Sequence, residues 1–351
     1  MPYPLNFGLR AFRGGAAVLS RVVPPLGYRL HWSLFVRSPK PARVSEESLH
    51  FLESHGRQQI LEVEGHRVPA YTMRPAMQTR MRVLLIHGWG SRAAALLPMA
   101  KLMMRDGAEV IAFDGPGSGL TGKHTVYLPE QMAVVDRLQR ELGPIDVVVG
   151  HSFGGIVAAH SIAEGLLPSC RVFATIASPN SFEVMTQRHL RFFWQPEGAL
   201  DYFDKRVQEL TGSEIGRYGI GEALAQLRPG RLRYLCLHDH SDEDVPVSDA
   251  QEIGRALPWA QVEITAGLGH NRILREESVI RRVVEYIDES MYGVPEVAAT
   301  MPDAEHAEAA HPDAAPAAAM PGPADGPHID PAASGAAGSP GESAPPGNEL
   351  G

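Results

Sequence analysis

The sequence predicts an α/β fold built on a mostly parallel eight-stranded sheet, with helices on both faces and a short helical cap. Three observations carry this expectation. From about Gln58 onward, short β-rich runs alternate with helical segments, the order that builds a sheet sandwiched between helices. Runs such as Val83-Leu84-Leu85-Ile86 are continuously apolar rather than alternating, as parallel strands covered on both faces must be. Finally, about fifty residues separate the strand ending near Ala177 from the one starting near Leu232, too many for a simple crossover.

Taken in order, the expected strands are Ile60 to Val63, Arg67 to Met73, Val83 to Ile86, Val110 to Phe113, Ile145 to Val149, Val172 to Ala177, Leu232 to Leu237 and Val262 to Thr265. The first two lie so close, across Glu64-Gly65-His66, that they read as an antiparallel hairpin at one edge. Helices are expected at Ala93 to Arg105, Pro129 to Leu142, Gly154 to Glu164, Ser248 to Ala256 and Glu277 to Glu289. The long insertion is helix-prone and clusters Phe192, Phe193, Trp194, Tyr202 and Phe203, which reads as a cap over the C-terminal edge of the sheet. The expected organisation is an N-terminal helix and lead-in over 1–57, a core over 58–178 and 229–293, the cap over 179–228, and a tail over 294–351.

The ends differ from the core. Near the start, Leu9, Phe12, Ala16, Leu19 and Val23 recur at spacings of three and four, placing them on one helical face with Arg10, Arg13 and Arg21 away from it. Docking of that face on the body of the protein is favoured over contact with a membrane surface. Arg21 and the Pro24-Pro25 pair interrupt the apolar stretch, and no small-x-small site follows, so a helix is expected rather than a secretory leader. The last 51 residues contain fifteen Ala, ten Pro, seven Gly and eight acidic residues but no Lys or Arg, a composition expected to be disordered. That tail accounts for nearly all of the net charge of −9, leaving no basic field to suggest a nucleic-acid partner. Cys170 and Cys236 sit in or beside apolar runs, which suits buried thiols in a reducing, cytoplasmic setting rather than a disulfide framework.

The chemistry centres on Gly150-His151-Ser152-Phe153-Gly154, a G-x-S-x-G run between an apolar strand and a helix. In such an elbow a strained backbone holds the serine hydroxyl clear of the sheet, so Ser152 is the candidate nucleophile. A hydroxyl needs a base, and among fifteen histidines His270 follows the Gly-rich loop after the last strand, at the same sheet edge. The imidazole needs a carboxylate in turn. The turn His238-Asp239-His240-Ser241-Asp242-Glu243-Asp244-Val245-Pro246 offers several, and spacing alone does not choose between Asp242 and Asp244. The backbone N–H groups of Phe153 and of Trp89, in the loop His87-Gly88-Trp89-Gly90, are the candidate oxyanion donors.

Together with Asp114-Gly115-Pro116-Gly117-Ser118-Gly119 and Gly269-His270, these blocks resemble the α/β-hydrolase fold superfamily from about Gln58 to Ser290. The resemblance implies an esterase- or lipase-like serine hydrolase and favours Asp242, three residues before Val245-Pro246, as the acid. It also implies a cap between the sixth and seventh strands. Ser118 departs from the common pattern, which has His there. The expected activity is cleavage of a small-molecule ester or thioester with an apolar acyl group, with no cofactor and no metal. Acyltransferase, cofactor-free haloperoxidase and a non-catalytic ligand receptor or scaffold are the alternatives, and the oligomeric state stays open.

Overall fold

The computed structural model describes residues 7–38, 45–119, 121, 125–228 and 230–293. The tail expected over 294–351 therefore lies outside the described residues. Eight strands form one sheet: β1 Gly56–Val63, β2 His66–Met73, β3 Met81–Ile86, β4 Ala108–Phe113, β5 Val147–His151, β6 Val172–Ile176, β7 Arg233–Asp239 and β8 Gln261–Thr265. Their spatial order is β1-β2-β4-β3-β5-β6-β7-β8. Pairs β1/β2 and β2/β4 are antiparallel, and every later pair is parallel. The edge hairpin turns on Glu64 and Gly65, both at positive φ (47° and 77°), the backbone that a two-residue turn matched to strand twist requires.

The helices are α1 Phe7–Val22, α2 Pro24–Phe35, α3 Glu46–His55, α4 Leu97–Arg105, α5 Leu128–Leu142, α6 Phe153–Ala163, α7 Phe182–Phe192, α8 Gly198–Thr211, α9 Ile220–Leu224, α10 Ser248–Ala256, α11 Gly269–Arg272 and α12 Glu277–Tyr292. A core lies on each face of the sheet. One packs α5, α6 and α10 against residues such as Leu84, Val148 and Phe173. The other packs α3, α4 and α12 against Val83, Val149 and Leu235. Alternate residues of one strand thus serve opposite cores, which is why the central strands are apolar throughout.

The N-terminal reading needs correction. The expected helix is α1, the lead-in holds two more, α2 and α3, and the face of Leu9, Phe12, Ala16, Leu19 and Val23 docks only in part. Phe12 and Val23 are 42% and 44% exposed, whereas Arg13, Ala16, Ala17 and Ser20 are buried. The reason is close helix approach: a Cβ on Gly27 of α2 would stand 2.3 Å from the Ser20 hydroxyl oxygen, so the α1/α2 seam admits only small side chains. Arg13 is covered because its guanidinium lies 4.2 Å from the ring centre of Phe192 and 4.3 Å from that of Trp194.

The expected insertion contains α7, α8 and α9, and its aromatic residues meet the N-terminal helices. Phe203 of α8 packs its ring 5.3 Å from both Trp32 and Phe35 of α2, and Phe35 also contacts Phe182 and Trp89. Residues far apart in the chain thus build one cover over the sheet. No described helix is long and apolar enough to cross a membrane.

Candidate active site

Ser152 sits where β5 ends and α6 begins, with φ 53° and ψ −125°, a strained conformation for a residue with a side chain. Its neighbours explain the glycines around it. A Cβ on Gly150 would lie 2.6 Å from the Gly154 carbonyl oxygen and the Gly155 Cα, and one on Gly154 would lie 2.3 Å from the Ile86 carbonyl oxygen. The turn is pinned by the Ser152 N–H, which donates to the Ile176 carbonyl at 3.0 Å.

At the same sheet edge, the loops after β7 and β8 bring Asp242 and His270 together. The Nδ1 of His270 stands 2.8 Å from Asp242 Oδ2. The other carboxylate oxygen of Asp242 accepts the backbone N–H groups of Asp244 at 2.9 Å and Val245 at 2.8 Å. Of the two aspartates that spacing left open, Asp242 is the one in contact with His270, while Asp244 is exposed. The Asp242 side chain is fully buried, so its charge faces His270 without screening by water. Among the described residues, Asp242, Asp244 and His270 also form the group close enough to ligate a metal, but Asp242 and His270 already satisfy each other there.

Two supporting residues escaped the sequence reading. Asp239, at the end of β7, accepts the N–H groups of Ser241, Gly269 and Leu268 and the Thr265 hydroxyl. Burial raises its pKa, yet these donors outweigh burial and leave it below the usual carboxylate value. The same bonds fix the loop that carries His270. A carboxylate closing an apolar strand was the available signal, since a buried charge must find donors. His151, next to the nucleophile in the elbow, reaches the His270 loop. Its Nε2 donates to the His270 carbonyl at 3.0 Å, and the two rings are 4.9 Å apart. Burial, reinforced by His270, pushes the His151 pKa down to about 3, so it stays neutral.

Trp89 and Phe153 face one another edge to face at 5.2 Å. Gly88 runs so close to the elbow that a Cβ there would be 2.9 Å from the Ser152 Cβ. The loop is tied to the β4 turn by Asp114, whose Oδ1 accepts the Ala93 N–H at 2.8 Å. Beyond Trp89 and Phe153 opens a narrow cavity. Its walls are almost wholly apolar and come from α2 (Trp32), the segment Val126 to Pro129, α7 (Phe182) and α8 (Val207 and Leu210). The Val126 N–H, bonded at 2.9 Å to the Val36 carbonyl, closes one side.

A parallel sheet, a serine elbow and an imidazole–carboxylate pair on one rim define a protein of the hydrolase type of α/β fold. A sequence model described as the alpha/beta hydrolase family matches residues 83–319, and the chain belongs to that family. Solved structures agree on the fold. An esterase from Pyrococcus furiosus, Pf2001, aligns with TM-score 0.54 at 19% identity, over 73% of this chain and 97% of its own. The esterase Est2 from Thermogutta terrifontis aligns with TM-score 0.52 at 14% identity, over 70% and 95%. A search of curated protein sequences finds no match.

Proposed function

We propose that the protein is a serine hydrolase cleaving a carboxylic ester or thioester of an apolar acyl group. The observation that carries this reading is the His270–Asp242 pair, 2.8 Å apart, on the sheet edge where Ser152 is held in a strained elbow. Ser152 Oγ attacks the carbonyl carbon while His270 takes its proton on Nε2. Asp242 holds the Nδ1–H tautomer and balances the imidazolium. The N–H groups of Trp89 and Phe153 meet the developing oxyanion, a contribution of about 3 to 4 kcal/mol for each donor. The tetrahedral intermediate collapses, the leaving group departs with the proton from His270, and water activated by the same imidazole releases the acid.

The apolar cavity beside Trp89 and Phe153 supports an apolar acyl group, each buried methylene adding about 0.8 kcal/mol to binding. Family membership and the esterase neighbours are consistent with this chemistry. The two buried free thiols fit a reducing, cytoplasmic setting. The test is labelling by a fluorophosphonate together with hydrolysis of p-nitrophenyl esters of increasing acyl length. Wild type should label and turn over, with a preference set by the cavity, whereas Ser152→Ala should do neither. Labelling that persists in Ser152→Ala would overturn the assignment. Partition of the acyl group between water and an added alcohol separates hydrolysis from transfer.

A further inference from the structure

Helix α1 buries Arg13, Ala16, Ala17 and Ser20 and leaves larger apolar residues in solvent. Outward stand Gly8, Ala11, Gly15, Val18 and Val22, all exposed and spaced three or four apart, with Phe12 beside them. At that spacing they form one continuous stripe along the helix. Val18 is 60% and Val22 72% exposed, and the stripe runs on into Leu26 of α2, at 54%. Leaving such residues in water forfeits their apolar burial, so a free patch of this kind calls for a cover.

The patch has an aromatic shoulder. Arg13 lies over the rings of Phe192 and Trp194, and Phe12 meets Phe193 edge to face at 6.2 Å. Trp194 itself is 51% exposed. An indole held at the rim of an apolar surface suits the boundary between headgroups and hydrocarbon.

Charge selects the occupant. The first 45 residues hold six Arg and one Lys and neither Asp nor Glu, although the whole chain carries −9. Arg10 and Arg29 are exposed on α1 and α2. Apolar side chains on two helices whose own charges are all cationic complement an anionic bilayer, whose surface attracts basic residues. Because no described helix is long and apolar enough to cross, the contact is one that lies in the interface.

We infer that the outward face of α1, with the start of α2, docks this protein on the surface of an anionic lipid bilayer. The inference rests on surface residues alone and stands apart from the chemistry at Ser152.

Flotation of the full-length protein with vesicles tests it, using phosphatidylcholine alone and phosphatidylcholine containing about one third phosphatidylglycerol. Wild type should float with the anionic vesicles at least about tenfold better than with the neutral ones, and its tryptophan emission should shift to the blue. The double variant Val18→Gln/Val22→Gln keeps helix propensity while removing the apolar stripe, so it should lose binding to both vesicle types. Arg10→Glu/Arg29→Glu should erase the preference for anionic lipid. In both variants, turnover of a short soluble ester and the thermal midpoint should match wild type. Absence of wild-type binding to anionic vesicles, or equal binding by Val18→Gln/Val22→Gln, would overturn the inference. So would a wild-type dimer in light scattering that this pair dissolves, which would assign the face to a second copy of the chain.

Discussion

At Ser152 the backbone carries φ 53° because the chain must turn from strand to helix while presenting the side chain outward. The space for that turn exists only because neighbouring positions lack a Cβ. Gly154→Ala would drive a methyl to within 2.3 Å of the Ile86 carbonyl oxygen, a backbone atom that cannot step aside. This variant should lose soluble expression or several degrees of thermal midpoint, a result read directly by circular dichroism. The two neighbouring aspartates make a sharper comparison. Asp242→Asn should lower turnover by roughly 10⁴-fold through the wrong imidazole tautomer, whereas Asp244→Asn, which does not pair with His270, should stay within about threefold of wild type. A reversed ranking in steady-state kinetics would transfer the acid's role to Asp244.

At the scale of elements, the loops after β7 and β8 are held by Asp239, whose carboxylate gathers three backbone N–H groups. Asp239→Ala would orphan those donors, at a cost of about 1 to 3 kcal/mol for each one left without water. Activity should fall with stability, because the segment starting at Gly269 carries His270. The cover over the cavity makes a second case. Trp32 of α2 lines the cavity and packs on Phe203 of α8, so an N-terminal helix and an inserted helix share one wall. Trp32→Ala should cost about 3 to 5 kcal/mol and move the preferred acyl chain to greater length on the p-nitrophenyl ladder. An unchanged chain-length profile would remove α2 from the substrate pocket.

For the molecule as a whole, the buried histidines set an acid limit. His31 and His189 face each other between α2 and α7 with ring centres 6.1 Å apart. Burial holds His31 below its ordinary value and pushes His189 down from 6.5 to about 4, with His31 adding to the shift. Each of these imidazoles binds a proton more readily once unfolded. The stability they allow is therefore present above about pH 6.5 and declines as pH falls toward 4, by a few kcal/mol at about 1.4 kcal/mol for each pH unit of displacement. Calorimetry across that range should show a falling midpoint in wild type and a shallower fall in His189→Phe. A pH-independent wild-type midpoint would mean the pair does not titrate with unfolding.

The eight strands and the elbow were legible in the sequence because each is fixed locally: a continuous apolar run buries on both faces wherever it lies, and only Gly fits at positions 150 and 154 of the elbow. His270 and Asp242 were legible through the order of loops on one sheet edge and through family resemblance. The buried side of α1 was not, since large apolar residues pointed to one face while the approach of Gly27 to Ser20 selected the small ones. Nor was the joint cover of α2 and α8, the contact between Asp239 and the His270 loop, or that between His151 and the same loop. Periodicity and propensity act over a few residues and so belong to the sequence, whereas pairings across tens or hundreds of residues depend on which surfaces the folded chain brings within van der Waals reach.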